Sequence, residues 1–229
     1  MMYNGDMIEE NFIPPSNMPE KRLDNVSKII GTGPSTIKVI KNFIGQEDIN
    51  KFIEFGKTVA DFNKDKTHHY TATQRGTNDK ELKKLFIKYE EKLRQQAEEL
   101  YGLKLTKERV LDLFIHPEGS YLEPHTDIID YHQPEIYDQG NLFAQQKKDF
   151  PFLWSGHLSI ICYLNKDYEG GTLYFPEQDV KIVPEPGMFV CFPGNLHFIH
   201  GVTKTHGATR YTISLWTRFS DFKNKLIEE

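Results

Sequence analysis

Long apolar runs are missing from this chain of 229 residues. No stretch approaches the ~18 apolar residues of a membrane-spanning helix. The opening residues, MMYNGDMIEENF, carry acidic side chains and no apolar core, so they do not read as a secretory signal. Cysteine is scarce as well. Cys162 and Cys191 each sit in an apolar strand-like run (SIICYL and MFVCFP) and read as small buried hydrophobes, not as a disulfide or a metal pair. That excludes a disulfide scaffold and predicts a soluble protein of a reducing compartment, the cytoplasm. Positive charge is not in excess: 28 Lys and Arg stand against 33 Asp and Glu, a formal charge of -5. No general attraction to nucleic acid or to an anionic membrane follows, and neither is expected as a partner. What the chain does have is aromatic bulk: 16 Phe and 11 Tyr can fill a core and still line a pocket.

Residues 1–34 are polar and broken by Pro14, Pro15, Pro19, Gly31, Gly33 and Pro34, and read as an extended arm. The remainder, 35–229, reads as a single domain. It opens with a strand over 36–44 and a helix from about Glu47. A second helix is predicted over 79–101. Leu82, Leu85, Phe86, Tyr89, Leu93, Ala97 and Leu100 form its apolar stripe, Asn78 and Glu81 suit a capping box, and Gly102 a stop. Helical support therefore occupies 46–102. From 108 to 218 the pattern is one of short strands, at about 108–116, 121–128, 157–165, 172–176, 179–183, 187–192 and 208–218. Short strands after amphipathic helices predict a mostly β fold: a double-stranded β-helix, or jelly roll, with the helices packed on its outer sheet. The long aromatic-rich segment 129–156 is a candidate lid.

The chemistry centres on His125-Thr126-Asp127. On a strand, residues two apart share a face, so this spacing sends an imidazole and a carboxylate into one pocket. Alone, the pair reads equally well as a hydrogen-bonded surface pair. Downstream, His200 ends an apolar run, and Arg210 and Thr212 follow on one strand face. His197 competes with His200 as a third ligand. Two neutral imidazoles and one carboxylate, with open positions left over, suit non-haem Fe(II). A dianionic 2-oxo acid beside Arg210 would cancel the charge of such a site, which makes its burial far less costly.

The stretches GSYLEPHTD (119–127), LSIICYLNKDYEGGTLYFPE (158–177), VPEPGMFVCFP (183–193) and HGVTKTHGATRYTISLW (200–216) together resemble the 2-oxoglutarate/Fe(II)-dependent dioxygenase superfamily, within it the prolyl 4-hydroxylase-like group. The resemblance implies iron held by His125, Asp127 and His200. It implies 2-oxoglutarate bound through its distal carboxylate by Arg210, with Tyr163 and Thr212 assisting, and it brings in ascorbate as an accessory cofactor. The implied reaction is hydroxylation of proline in a peptide or protein, with release of succinate and CO2. The same chemistry on a free amino acid or other small molecule, and a non-catalytic jelly roll that merely retains metal, are the alternatives. A zinc hydrolase is a weaker one, because it gives Arg210 and Thr212 no task.

Leu122 stands three residues before His125, where many prolyl hydroxylases have tyrosine. Tyr121, one place earlier, points to the other strand face unless a bulge intervenes. Asp127 favours hydroxylation over halogenation, since halide-installing relatives lack this carboxylate. Trp216 occupies the place where nucleic-acid dealkylating relatives carry a second arginine, so that branch is disfavoured. Oligomeric state is not fixed by any of these features.

Overall fold

The computed structural model describes residues 27, 30–62, 70–73, 77–107, 111–127, 158–217 and 219–220. Most of the proposed N-terminal arm, the candidate lid at 129–156, and His68, His69, His132, His157 and Arg218 lie outside these residues.

Two helices form where the apolar residues recur at helical spacing. Helix α1 spans Gln46–Phe62 and helix α2 spans Lys80–Tyr101. In α2 the stripe predicted from sequence is the buried face, with Leu85, Phe86, Tyr89, Leu93 and Ala97 inside. Its start is one residue later than the capping-box reading. Asp79, not Asn78, is the N-cap, and its carboxylate accepts hydrogen bonds from the N–H groups of Glu81 and Leu82. Gly102 ends the helix in the left-handed conformation, as expected.

The strands are β1 (Lys38–Ile40), β2 (Tyr70–Thr73), β3 (Asp112–His116), β4 (Leu122–His125), β5 (Leu158–Tyr163), β6 (Leu173–Phe175), β7 (Val180–Ile182), β8 (Phe189–Pro193), β9 (His200–Val202) and β10 (Arg210–Thr217). The first is shorter than the expected 36–44. A 3-10 turn occupies Pro34–Thr36, and the chain turns again at Asn42, whose φ is 56°. The short strands β2 and β9 have too little alternation of their own to be read from sequence.

All strand pairs are antiparallel. Among the described residues they form a six-stranded sheet, β1-β8-β5-β10-β3-β2, and a four-stranded sheet, β4-β9-β6-β7. Period-two alternation divides the larger sheet into two faces. Leu113, Ile115, Ile160, Cys162, Phe189, Cys191, Tyr211, Ile213 and Leu215 belong to the core shared with α1 and α2. The opposite face contributes Tyr163, Val190 and Phe192 to a second cluster with Leu173, Phe175, Val202 and Phe198 of the smaller-sheet side. The helices therefore cover the outside of the larger sheet, and the two sheets face each other over the second cluster. This is the jelly roll the sequence predicts. Both cysteines are free and buried, as expected.

Candidate metal and anion site

Strand β4 runs against β9 with His125 directly opposite His200. Leu122 pairs with Val202, so three steps along β4 match two along β9, and a bulge lies between. The bulge lets Leu122 and His125, an odd number of residues apart, both serve the inner side. Leu122 packs against the inter-sheet cluster, and the His125 ring lies 4.4 Å from that of His200. Tyr121 is left 40% exposed, away from the cluster. One expectation needs correcting here. Strand alternation does not bring His125 and Asp127 together, because β4 ends at His125 and Asp127 sits in the bend that follows.

The three side chains nevertheless converge. Asp127 places one carboxylate oxygen 3.5 Å from His125 Nε2 and the other 3.5 Å from His200 Nε2. Among the described residues they are the one group of His, Cys, Asp or Glu whose ligand atoms all lie within 4.8 Å of one another. Those distances are long for hydrogen bonds but suit atoms sharing one metal, whose bonds of about 2.0–2.2 Å leave ligand atoms roughly 3 to 3.5 Å apart. Each imidazole is oriented from behind. His125 Nδ1 lies 2.7 Å from the Glu123 carbonyl and His200 Nδ1 3.0 Å from the Phe198 carbonyl. A proton on each Nδ1 leaves both Nε2 lone pairs facing Asp127, the arrangement a divalent metal needs. Phe192 and Phe175 pack on the His200 ring at 4.6 and 5.7 Å. The donor set and its support fit a divalent first-row metal such as Fe(II).

The electrostatics agree. Burial lowers the pKa of His200 to about 4, even with Asp127 beside it, so the ring is neutral at neutral pH. His125 is 37% exposed. Partial burial opposes its protonation, but Asp127 and the Glu123 carbonyl outweigh that and raise its pKa. Burial also works against ionised Asp127. The two imidazoles and the nearby Ser159 hydroxyl more than compensate and hold its carboxyl well below the usual range. His197, the competing ligand, is not part of the cluster. It sits half-buried in the 3-10 turn Leu196–Phe198 and takes the Asn195 side chain on its N–H.

Arg210 begins β10 and is 3% exposed. It shares a face with Thr212, Ser214 and Trp216, because the intervening Tyr211, Ile213 and Leu215 belong to the helix-side core. Thr212 lies opposite Tyr163 of β5, and both are buried. Tyr163 Oη and Arg210 Nε are buried without a hydrogen-bond partner among the described residues. Burial pushes the Tyr163 phenol up, while the charge of Arg210 pulls it down. A buried guanidinium beside an unpartnered phenol is a natural receptor for a carboxylate, so these residues fit the distal end of 2-oxoglutarate.

Three residues without a sequence-based role join the same face. His116 pairs with Arg210 across β3–β10, is buried, and stacks on Phe114. Ser159 alternates with Tyr163 along β5 and approaches Asp127. Tyr168, in the turn after β5, has a buried hydroxyl without a partner and interacts electrostatically with Arg210. Period-two counting from Tyr163 and Arg210 could have found Ser159 and His116. No local pattern marks Tyr168. Trp216 packs edge-on against Phe114 at 5.4 Å, which makes it a wall of this face.

Asp112 also lies on the inner face of β3, opposite Ser214, and burial raises its carboxyl pKa to about 6. The folded protein therefore holds a proton that the unfolded chain releases near pH 4. Stability falls as pH rises from about 4 to 6, and the penalty persists above pH 6. Asp112→Asn should stabilise the protein at pH 7.5 by on the order of 1–2 kcal/mol, allowing for solvent screening, and leave it unchanged below pH 4. Urea unfolding of both proteins across pH 4–8 measures this, and an equal gain at every pH would contradict it.

Residues 111–218 match the family model of the 2OG-Fe(II) oxygenase superfamily. Prolyl 3-hydroxylase 1 of Homo sapiens and of Gallus gallus is 40% identical over 63 residues, 25% of this chain, and the match spans only 9% of those proteins. The fold is similar to that of a viral collagen prolyl hydroxylase from Paramecium Bursaria Chlorella virus-1, solved as a 2OG complex. There the TM-score is 0.57 at 16% identity, covering 80% of this chain and 96% of that one. It is similar also to a Pseudomonas putida prolyl-4-hydroxylase, with TM-score 0.54, 14% identity, and 85% and 98% coverage. A third likeness is to a Trichoplax adhaerens prolyl hydroxylase in complex with a hypoxia inducible factor peptide, with TM-score 0.54, 16% identity, and 89% and 93% coverage. Family match and fold point the same way: residues 111–218 are similar to the 2OG-Fe(II) oxygenase superfamily, and the chain has a fold similar to that of these prolyl hydroxylases.

Proposed function

We propose that this protein is an Fe(II)- and 2-oxoglutarate-dependent dioxygenase that hydroxylates proline in a peptide or protein. Residues 35–229 act in this reading as one catalytic unit. The observation that carries it is the convergence of His125, Asp127 and His200, together with a buried Arg210 Nε and Tyr163 Oη that have no hydrogen-bond partner among the described residues. When bound, iron and the 2-oxo acid supply O2 activation: one oxygen atom goes into succinate as CO2 leaves, and the other goes into the substrate C–H bond.

The protein's own residues do the rest. His125 and His200 present Nε2 to the metal because the carbonyls of Glu123 and Phe198 hold their Nδ1 protons. Asp127 supplies the single negative charge and stays ionised. Arg210, with the hydroxyls of Tyr163 and Thr212, receives the distal carboxylate and so orients the 2-oxo acid toward the metal. Burial of these donors excludes water, which strengthens each interaction. Ascorbate would be an accessory reductant in this reading. A reducing, cytoplasmic setting suits the two buried thiols. The prolyl reading is supported by the named activities of the similar proteins.

The test is succinate formation from 2-oxoglutarate by anaerobically iron-loaded protein with ascorbate, with and without proline-rich peptides. Peptide-stimulated succinate, with hydroxyproline in the recovered peptide, is the expected result. Succinate without peptide stimulation would move the substrate to a small molecule. No succinate from protein with confirmed iron would leave a metal-retaining jelly roll.

A further inference from the structure

The turn after β5, residues 164–172, is fastened at several points to residues 203–211, which lead into β10. Leu164 N–H donates to the Tyr211 carbonyl at 3.0 Å, and the Asn165 side chain accepts from Tyr211 N–H at 2.8 Å and donates to the Thr209 carbonyl at 2.7 Å. Glu169 and His206 exchange backbone hydrogen bonds in both directions, at 2.9 and 3.0 Å. Thr172 N–H donates to Thr203 Oγ1 at 2.9 Å. In the middle of this fixed turn lies Tyr168. Its ring is seated by Gly171, where a Cβ would stand 2.7 Å from Tyr168 Cε2 and 3.2 Å from Thr205 Cγ2. Gly170 and Gly171 both have positive φ, and a Cβ on Gly170 would overlap the Lys204 carbonyl oxygen. The paired glycines are what allow the turn to press Tyr168 inward.

The hydroxyl so placed has no hydrogen-bonding role among the described residues. It is buried and lacks a hydrogen-bond partner, as do Tyr163 Oη and Arg210 Nε. Both phenols lie close enough to Arg210 to feel its charge, and burial raises the Tyr168 hydroxyl to about 12 despite that charge, so it remains a donor at any working pH. A buried donor left unmade is costly, and two phenols together with the cation's own Nε form a receptor for several oxygen lone pairs. A carboxylate offers about four such sites, room for one hydrogen bond each from Arg210 Nε and the hydroxyls of Tyr163, Thr212 and Tyr168.

We propose that Tyr168 is a further cosubstrate-binding residue, donating its hydroxyl to the distal carboxylate of the 2-oxo acid beside Arg210 and Tyr163. The inference rests on the 2-oxoglutarate reading above. It makes Tyr168 a selector for 2-oxo acids that carry a second carboxylate.

Titration of Mn(II)-loaded protein with 2-oxoglutarate and with 2-oxobutyrate, which lacks the distal carboxylate, tests it. Tyr168→Phe should weaken 2-oxoglutarate binding roughly tenfold to a hundredfold, the range of a hydrogen bond to a charged group. Affinity for Mn(II) and for 2-oxobutyrate should match the parent protein. Gly171→Ala, which displaces the ring, should reproduce the loss in part. Equal weakening toward both acids, or unchanged 2-oxoglutarate affinity in Tyr168→Phe, would overturn the proposal while leaving the cosubstrate reading intact. Failure of the parent Mn(II) protein to bind 2-oxoglutarate at all would overturn both.

Discussion

Asp127→Ala is expected to release the metal and abolish succinate formation, with turnover falling at least about a thousandfold. The magnitude follows from what Asp127 is in this fold. It is the only charged member of the cluster, it lies 3.5 Å from both imidazole nitrogens, and its environment keeps it ionised. Two neutral imidazoles alone leave a divalent cation uncompensated in a site lined by Phe175 and Phe192, with the Arg210 cation on the same inner surface. Asp127→Asn separates shape from charge. It retains an oxygen ligand of similar reach, so weakened but measurable Mn(II) binding is expected, between the parent and the alanine variant. Mn(II) titration followed by electron paramagnetic resonance gives the affinities, and the succinate assay gives turnover. Full activity in Asp127→Ala would remove the carboxylate from the metal site.

Arg210→Met should lower 2-oxoglutarate affinity of the metal-loaded protein by about a hundredfold or more, yet leave the ligand-free protein as stable as its parent or more so. The two halves have one cause. Arg210 is almost wholly buried, and the ionisable side chains that act on its charge among the described residues are the phenols of Tyr163 and Tyr168, not carboxylates. Burial lowers its pKa, the mark of a cation deprived of water. Such a charge costs several kcal/mol until an anion arrives, and methionine of similar length removes that cost. In the parent protein, bound 2-oxoglutarate should then raise the melting temperature. The linkage relation gives about 2.7 kcal/mol at a ligand concentration one hundred times Kd. Thermal denaturation of both proteins, with and without 2-oxoglutarate in the presence of Mn(II), reads out each half. A ligand-free Arg210→Met that melts well below the parent would make Arg210 a structural residue, held by partners other than a ligand.

These two residues were both legible in the sequence, but for unequal reasons. The role of Arg210 comes from the resemblance, and alternation adds only that Arg210, Thr212 and Trp216 share one face of β10, as they do. Asp127 is found by a rule that does not apply, because β4 stops at His125 and a bend delivers the carboxylate. The motif survived because the spacing is a property of the whole loop and not of a strand. The helices were legible nearly to the residue, as the stripe of α2 and its Gly102 stop illustrate, with only the cap displaced from Asn78 to Asp79. Strand β1 was overextended because its apolar residues continue through the turn at Asn42. There Phe43 and Ile44 remain beside the sheet, with both N–H groups on the Gly187 carbonyl.

The sequence by itself determined which residues face where. A period of 3.6 or 2 is a local property, and the cost of exposing apolar surface enforces it element by element. It also offered a ligand set, His125, Asp127, His200 and Arg210 in that order, with His197 left as a competitor for the third position. Tertiary structure alone decided who meets whom. The bulge that sets His125 opposite His200, the pairing of Thr212 with Tyr163 and of Arg210 with His116, and the seating of Tyr168 against Gly171 and within reach of the charge of Arg210 were not readable along the chain. Cross-strand register is selected by burial of both faces at once and by the pairing of every backbone group, and neither condition can be evaluated along the chain.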